Sequence, residues 1–323
     1  MKILVLAGHH VRELLPYREC ADVMREALAE LARGQIQQPL RTVVRPRDAA
    51  GFMGLMPAYS PGAGYGLKAI CVTPGNPAIG KDAHQGGVLL FDVHTGEPLA
   101  LVNASAVTEI RTAATSAVAT DLLASPGAAE LAIIGTGVQA QAHAHAIAAT
   151  RPLAGIRLAG RDLARAREVA AALAGQLGLP VSAHEARDAV EGADIVVTAT
   201  NSPQPVLRRE WMAAGTHVNA VGACVPRDRE IDTATMAEAA LFADSRESVQ
   251  NESGDYLLAQ QEGMVNPVRA EIGELLTGQA KGRAGDDEIT LFESLGVAAE
   301  DLAAASYLYE KAARLNAGTA ADF

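Results

Sequence analysis

The stretch that decides the fold is LAIIGTGVQAQAHAHAI, residues 131–147. An apolar run typical of a buried strand leads into Gly135, Thr136 and Gly137, and an alanine-rich helical segment follows. In a Gly-x-Gly-x-x-Ala turn, the first glycine allows a tight bend and the second lets the backbone approach a pyrophosphate. A small residue such as Ala140 at the last position keeps the helix close to the strand. This context predicts a dinucleotide site.

His143 and His145 in the same stretch raise the alternative of a metal site. Two residues apart on a helix, they point to different faces, whereas helical metal pairs are usually four residues apart. The adjacent His9 and His10 have no better spacing. We therefore predict no metal site, and we interpret the pair at 143 and 145 as partly exposed helix residues.

From about residue 129 onward, strand and helix patterns alternate. Such alternation predicts parallel βαβ units with right-handed crossovers. The predicted strands after the first are at 155–160, 181–185, 194–201, 216–222 and 240–245, and a helix at 163–178 ends at Gly178. The expected fold class is α/β, with a Rossmann-type doubly wound parallel sheet.

The first 110 residues predict an α+β segment instead. A helix is expected at 19–34, and four strand-like runs follow, the last of which turns at HTGE, residues 94–97. A long helix at 108–124 joins the two halves. The tail, from 300 to 318, predicts one more amphipathic helix, and the Gly-rich piece at 278–288 predicts a surface loop.

Composition excludes several classes of partner. A chain of 323 residues is long enough for two domains, and its net charge of −11 argues against binding to nucleic acid or to an anionic membrane. No apolar stretch approaches the roughly 20 residues that a membrane span needs. Cys20, Cys71 and Cys224 form neither a disulfide framework nor a zinc pattern, which predicts a reducing, cytoplasmic location.

The end of the second strand of the βαβ region bears on cofactor choice. NAD enzymes usually place an acid there for the ribose 2′-hydroxyl. Here Gly160 and Arg161 come first, Asp162 is one residue later, and Arg165 and Arg167 follow. Arginine suits a 2′-phosphate, although the last two arginines also fit a solvated helix face. The pattern favours NADP(H), with NAD(H) as the alternative.

Over nearly its whole length the chain resembles the ornithine cyclodeaminase/mu-crystallin family. The resemblance lies in the segments GYGLKAICVTPGNP, HQGGVLLFDVHTGEPLALVNASAVTEIRTAATSAVA, IIGTGVQA, VNAVGACVPRDREID, ADSRESVQNESGD and LFESLGVAAEDLAAA. It implies a homodimer with a Rossmann domain at 113–297. Residues 1–112 with 298–323 would form the domain for dimerisation and substrate binding.

The family includes cyclodeaminases, alanine dehydrogenases, imine reductases and a hormone-binding crystallin, so membership does not fix the reaction. We expect an NAD(P)H-dependent reductase of small ketimine or cyclic imino acids, of the Δ1-pyrroline- or Δ1-piperideine-2-carboxylate type, or a related amino-acid dehydrogenase. One alternative is an ornithine cyclodeaminase, which converts ornithine to proline and ammonia. The other is a non-catalytic, dinucleotide-dependent carrier of a small ligand.

The resemblance also implies roles for single residues. Arg41 and Lys68 match the ligands of the substrate carboxylate, and Lys68 could relay a proton to the substrate nitrogen. His84 resembles the crystallin and reductase branch of the family. The positions expected to contact the cofactor are His84, Arg111, Gly135, Gly137, Val138, Gln139, Gly160, Arg161, Asp162, Thr200, Asn201 and Ser294.

One departure from the family pattern concerns the acid that drives cyclodeamination. Cyclodeaminases carry an aspartate two residues beyond the glycine of a Val-Gly pair, where this chain has Cys224. A thiol is a poor substitute for a carboxylate base. Asp228, four residues further on, is the remaining candidate acid. The predicted catalytic residues are therefore Lys68, Arg41 and Asp228.

Overall fold

The computed structural model describes residues 2–323. The strands are β1 (Lys2–Leu6), β2 (Thr42–Val44), β3 (Phe52–Ser60), β4 (Gly64–Val72), β5 (His84–Phe91), β6 (Pro98–Asn103), β7 (Glu130–Ile134), β8 (Gly155–Ala159), β9 (Val181–His184), β10 (Ile195–Thr198), β11 (His217–Ala220), β12 (Ala240–Ala243), β13 (Ala270–Glu271), β14 (Thr290–Glu293) and β15 (Thr319–Asp322). The α-helices are α1 (Gly8–Leu14), α2 (Tyr17–Ala32), α3 (Ala104–Leu123), α4 (Val138–Thr150), α5 (Leu163–Leu177), α6 (Ala186–Val190), α7 (Thr233–Glu238), α8 (Arg246–Glu252), α9 (Gly254–Gln261), α10 (Ile272–Leu276) and α11 (Ala298–Leu315).

The chain forms two units. Unit 1 comprises the residues up to Arg111 together with Gly296–Phe323, and unit 2 comprises Thr112–Leu295. The two segments of unit 1 therefore flank unit 2 in the sequence.

Unit 1 is built on a seven-stranded sheet in the order β15-β1-β6-β5-β4-β3-β2. The pair β1 and β6 is parallel, and all other neighbours are antiparallel. Along β4, buried residues alternate with more exposed ones, and helix α11 packs against the sheet. Lys68 lies at one of the inward positions of β4, opposite Met56 on β3 and Val88 on β5. A charged side chain is thus placed where the pleat of the strand predicts an apolar one.

Unit 2 contains an eight-stranded, fully parallel sheet in the order β13-β12-β14-β11-β10-β7-β8-β9. From β7 the chain adds β8 and β9 on one side, then returns to place β10 on the other side. In open parallel sheets the ligand crevice lies outside the carboxyl ends of the strands where the order reverses, here β7 and β10. The predicted Rossmann-type doubly wound sheet is confirmed.

Several elements differ from the sequence-based expectation. Helix α3 begins at Ala104 rather than at residue 108, and the tail helix ends at Leu315, after which Asn316 adopts a left-handed conformation. The short helix α1 and strands β13, β14 and β15 were not predicted. Strand β15 has little intrinsic strand propensity, and it is held by antiparallel pairing with β1 at the other end of the chain. Within residues 2–323, no helix is long and apolar enough to cross a membrane.

Candidate active site

The glycine turn after β7 joins three strand ends of unit 2. Gly135 has φ of +134°, and a Cβ there would lie 2.4 Å from the carbonyl oxygen of Ala199, which follows β10. Its N–H donates to the carbonyl of Ala159 at the end of β8, at 2.8 Å. At Gly160, a Cβ would lie 2.7 Å from Cγ2 of Thr136. Any side chain at position 135 would therefore displace the turn from the point where the strand order reverses.

The second glycine of the motif opens onto space rather than onto protein. Gly137 is the N-cap of α4, and a Cβ at this position would meet no protein atom within 4 Å. Helix α4 has no acidic residue in its first turn, so its N–H groups and positive dipole end are not neutralised locally. Ala140 is fully buried, whereas Val138 is 57% exposed at the helix start. These features fit the pyrophosphate of a dinucleotide.

Asp162 caps a helix. Its Oδ1 accepts hydrogen bonds from the N–H groups of Ala164 at 2.9 Å and Arg165 at 3.1 Å, at the start of α5. The guanidinium of Arg165 pairs with Glu168 on the exposed face of the same helix. Arg161 is exposed at the end of β8. Asp162, the acid considered for the ribose 2′-hydroxyl, is thus hydrogen-bonded to backbone N–H groups, and the neighbouring Arg161 is accessible.

The carboxyl ends of β10 and β11 are joined by a buried carboxylate, that of Glu230. It accepts from the N–H of Thr200 at 2.5 Å, the N–H of Gly222 at 2.6 Å and the hydroxyl of Thr198 at 2.9 Å. Burial raises the pKa of Glu230, and these hydrogen bonds oppose the rise. Thr200 and Asn201, predicted to contact the cofactor, follow β10 at this edge of the sheet. Glu230 fixes the backbone beside them, a role that the sequence did not predict.

Two further acids are buried behind Glu230. The Asp255 Oδ1 atom accepts from the N–H groups of Glu230 at 2.6 Å and Ile231 at 2.8 Å, and Glu293 accepts from the Ser253 hydroxyl at 2.9 Å. Burial, followed by the charge of Glu230, raises the pKa of Asp255 to about 8. Burial and the charge of Asp255 raise the pKa of Glu293 well above its usual range. At neutral pH Asp255 therefore retains a proton that an unfolded chain would release.

We expect this retained proton to make stability depend on pH. A carboxyl group whose pKa is raised in the folded state stabilises below that pKa, so the free energy of unfolding should fall as pH rises from about 4 to about 8. Asp255→Asn replaces the acid with a neutral group of the same shape and should flatten this fall. Chemical denaturation at a series of pH values measures the slope. Asp188→Asn, on an exposed face of α6, is the control and should keep the wild-type slope. An unchanged slope in Asp255→Asn would contradict the assignment.

In unit 1, Lys68 and Asp301 form a buried ion pair. The Lys68 Nζ lies 3.0 Å from each carboxylate oxygen of Asp301, and the two side chains are 2% and 1% exposed. Burial lowers the pKa of Lys68 to about 8, Asp301 opposes this effect, and the charges of Arg111 and Arg41 add to it. The ammonium group therefore titrates in a range where it can donate a proton.

Arg111 binds two acids in the first turn of α11, Glu300 and the same Asp301. Its Nε donates to Asp301 Oδ1 at 3.1 Å and its Nη1 donates to Glu300 at 2.5 Å. Burial raises the pKa of Glu300, and Arg111 partly offsets the rise. Arg41 is half-buried and donates from Nη2 to the Gly296 carbonyl at 3.0 Å. The contact of Arg111 with cofactor phosphates, which the resemblance implied, stays a prediction. Its observed partners are two carboxylates of unit 1.

His84 is the first residue of β5 and pairs in register with Val72 on β4. Burial, followed by the charges of Lys68 and Arg111, lowers the pKa of His84 to about 4. The imidazole is therefore neutral at physiological pH and adds no charge to its surroundings.

Together, Arg41, Lys68 and Arg111 form a group that we call the cation cluster. It faces two carboxylates, those of Glu300 and Asp301, so positive charge is in excess. An excess of positive charge in a largely buried position suits a carboxylate ligand. Neither acid was among the predicted site residues. The sequence signal for these two acids was a Glu-Asp pair in an otherwise alanine-rich helix start. Exposed helix N-termini have the same pattern, so it does not indicate a buried site.

The two histidines of α4 have separate structural partners. His143 is fully buried, with Nδ1 at 2.7 Å from the Gln139 carbonyl and Nε2 at 2.9 Å from the Ser116 hydroxyl. Burial lowers its pKa to about 4. The expectation of partial exposure is wrong for this residue, because α4 is buried on that face. His145 is half-buried and contacts Gln176 at 3.0 Å.

Comparison with known proteins identifies the family. The model of the ornithine cyclodeaminase/mu-crystallin family matches residues 1–316. The chain belongs to this family. The ketimine reductase mu-crystallin of Mus musculus is 38% identical over 291 residues, which cover 89% of this chain and 90% of the relative.

Two solved structures superpose closely on this chain. The Thermococcus litoralis Δ1-pyrroline-2-carboxylate reductase, in complex with NADH and L-proline, has a TM-score of 0.95 at 34% identity and covers 98% of this chain and 99% of that one. An archaeal alanine dehydrogenase dimer with bound NAD has a TM-score of 0.94 at 30% identity, with both chains covered fully.

The family resemblance placed Cys224 at the position of the cyclodeaminase acid. Its thiol donates to the carbonyl of Val221 at 3.2 Å and is 3.6 Å from that of Ser294, and the side chain packs against the core of unit 2. Ser294, predicted on the cofactor side, is buried and donates its N–H to the Ala220 carbonyl at 2.9 Å. The environment of Cys224 is that of a packing residue.

Asp228, the other candidate acid of this loop, has a carboxylate 3.7 Å from the Arg227 guanidinium, and its side chain is 22% exposed. That distance makes a weak ion pair at the protein surface. The catalytic role predicted for Asp228 stays a prediction.

Proposed function

We propose that this protein is an NAD(P)H-dependent reductase of small ketimine or cyclic imino acids, with Δ1-pyrroline-2-carboxylate as the representative substrate. The observation that carries the proposal is the cation cluster, in which positive charge exceeds negative charge beside a lysine that titrates near neutrality. An imino acid brings both a carboxylate to bind and a nitrogen to protonate. The reductases named among the relatives support the same reaction.

Two residues of the cation cluster, Arg41 and Lys68, have defined tasks in this proposal. Arg41 and Lys68 bind the substrate carboxylate, which orients the C=N bond. Lys68 also donates a proton to the imine nitrogen, directly or through a water molecule. The chemistry supplied by a bound nicotinamide is hydride transfer to the imine carbon. The glycine turn and the start of α4 hold the dinucleotide in unit 2.

A panel of imino and keto acids tests the proposal, with NADH and NADPH oxidation followed in parallel. Oxidation with cyclic imino acids supports a reductase. Oxidation only with a 2-keto acid plus ammonia would support an amino-acid dehydrogenase. Dinucleotide binding without turnover of any substrate would support a ligand carrier and would contradict the proposal.

For the cofactor, we favour NADP(H) over NAD(H). Arg161 is accessible at the end of β8, and Asp162 is engaged as a helix cap, so a 2′-phosphate has a cation available. Arg161→Ala should weaken NADPH binding by about 1–3 kcal/mol and NADH binding much less. Isothermal titration of both cofactors measures the difference. Equal losses, or a wild-type preference for NADH, would overturn this preference.

The cyclodeaminase reaction is disfavoured by the surroundings of Cys224. Because no step of imine reduction needs this thiol, Cys224→Ala should keep most of the reductase activity. We expect no substantial ammonia or proline from ornithine with NAD. The measurement is proline formation from labelled ornithine by the wild type and by Asp228→Asn. If the wild type forms proline rapidly and Asp228→Asn does not, the protein is a cyclodeaminase in which Asp228 replaces the usual acid.

For assembly and location, we propose a homodimer in the cytoplasm. Strand β2 at the edge of the unit 1 sheet exposes apolar side chains, with Val43 and Val44 44% and 50% exposed, and Met53 on β3 is 41% exposed. Exposed apolar groups at a sheet edge favour association with another chain. The dimer described for the alanine dehydrogenase relative supports the same assembly.

A further inference from the structure

We infer that Asp301 is the positioning residue of the reaction: it fixes the direction of the Lys68 ammonium, keeps it charged, and locks Arg111 beside it. This inference rests on the proposed function, because it assigns the device that makes Lys68 an effective proton donor.

The geometry around Asp301 is that of a shared acceptor. Both of its oxygens accept from Lys68 at 3.0 Å, and Oδ1 also accepts from Arg111 Nε at 3.1 Å. An ammonium group has three N–H donors. With two of them directed at one carboxylate, the direction of the third is set, and that donor is the one that the carboxylate and the nitrogen of a bound imino acid would share.

Asp301 is held in place independently of the ion pair. It lies in the first turn of α11, where the positive end of the helix dipole favours a carboxylate. The N–H of Ala299, two residues before Asp301, donates to the Gln38 side chain at 2.8 Å. On the other side, Leu302 packs against β4, where a Cβ at Gly66 would lie 2.7 Å from its Cδ1. Main-chain and apolar contacts therefore hold this turn of α11 in place independently of Lys68.

Stability alone gives little reason for this arrangement. Desolvation of a buried ion pair can exceed its attraction, and apolar residues of similar volume are often as stabilising. Here Lys68, Arg111, Glu300 and Asp301 are all at most 4% exposed. An array of four charged or acidic groups in a buried position is better accounted for by a task that needs a correctly directed cation.

The charge state of Lys68 depends on every group that faces it. These are Asp301 and Glu300 on α11, Arg111 on α3, Arg41 before β2 and the neutral His84 on β5. Asp301 is the carboxylate in contact with the ammonium. If its charge is removed, burial and the two arginines remain, and they all disfavour the charged lysine. Asp301→Asn must then move the titration of Lys68 to lower pH.

The first test is the pH dependence of kcat and kcat/KM for imine reduction. A donor lysine must be protonated, so activity declines as pH rises through its pKa. In Asp301→Asn this alkaline decline should move to lower pH by about one unit or more, and kcat should fall by more than KM rises. Glu300→Gln is the matched control, because it removes an acid from the same turn that pairs with Arg111 rather than with Lys68. It should move the decline less.

Asp301→Glu provides a second variant that retains the charge and shifts it by one methylene. It should keep the wild-type position of the alkaline decline and lower kcat by about tenfold, because the donor is misdirected. Wild-type kcat in Asp301→Glu, or an unmoved decline in folded Asp301→Asn, would overturn the proposal. If Asp301→Asn does not fold, the kcat of Asp301→Glu decides.

The second test does not require turnover. In protein labelled with ¹³C at the lysine ε-carbon, the Lys68 resonance is assigned by its absence in Lys68→Arg, and its titration is followed by NMR. A lower titration midpoint in Asp301→Asn than in the wild type supports the proposal, and an equal midpoint overturns it. If the wild type reduces no imino acid, the proposed function fails, while this titration still reports whether Asp301 controls the charge of Lys68.

Discussion

Lys68→Met is expected to lower kcat/KM for a cyclic imino acid by about 10²- to 10⁴-fold, while the affinity for NADPH changes little. The variant removes the proton donor and one of the two ligands of the substrate carboxylate. Its uncharged side chain has a similar length, so the buried space stays filled. The glycine turn that we propose for dinucleotide binding lies in unit 2, whereas Lys68 lies in unit 1, which explains the expected selectivity. Steady-state kinetics and equilibrium NADPH titration measure the two effects.

Two controls separate chemistry from folding in this prediction. Lys81→Met removes an exposed lysine of the same unit and should leave kcat/KM unchanged. Because loss of the ammonium leaves Asp301 with Arg111 as its cation, thermal unfolding of Lys68→Met must be recorded beside the kinetics. The double variant Lys68→Met/Asp301→Asn removes both charges and should recover stability without recovering activity. Near-wild-type kcat/KM in Lys68→Met would show that this lysine is assigned wrongly.

Gly137→Ala is expected to weaken NAD(P)H binding by at least about tenfold with a small change in melting temperature. An added Cβ meets no protein atom within 4 Å, so the fold has room for it. In a dinucleotide-binding turn the same space is needed for close approach of the pyrophosphate to the backbone. Fluorescence titration of the cofactor and a thermal scan measure the two quantities.

The other glycines of unit 2 supply the comparison for this prediction. Gly135→Ala should lose stability as well as binding, because its φ is +134° and its Cβ would lie 2.4 Å from a carbonyl oxygen. Gly175→Ala, on the exposed face of α5, should gain a little stability and bind cofactor normally. If Gly137→Ala binds NAD(P)H as tightly as the wild type, the glycine turn is not part of the cofactor site.

The parts of the fold that the sequence predicted are those with local signals. Strands β7 and β10 are mostly apolar runs, and the turn between β7 and α4 carries two glycines separated by one residue. Strand β15 is different, because TAAD forms a strand only by pairing with β1, more than three hundred residues earlier in the chain. The pleat of β4 likewise places Lys68 inward, and no local pattern says that this position faces a carboxylate.

The candidate site divides in the same way. The glycine turn is local, and its chemistry follows from spacing alone. The Lys68–Asp301 pair joins residues 233 positions apart, so it emerges only when α11 packs on the sheet of unit 1. Without that contact, Arg41 and Lys68 could be assigned only by family resemblance, and Glu300 and Asp301 read as ordinary helix-start acids. Asp162, in contrast, has a local signal. It is the N-cap of α5, and an acid directly before a predicted helix is typical of an N-cap.

The proposed reaction is reduction of the C=N bond of a cyclic imino acid, and the identity of the product tests it. Purified protein is incubated with Δ1-pyrroline-2-carboxylate and either NADPH or NADH, and proline is quantified by chiral chromatography against cofactor oxidised. The proposed function predicts L-proline in a one-to-one ratio with the oxidised cofactor, and loss of both signals in Lys68→Met. Tight dinucleotide binding with no proline formed from this substrate, and no product from its six-membered homologue, would contradict it.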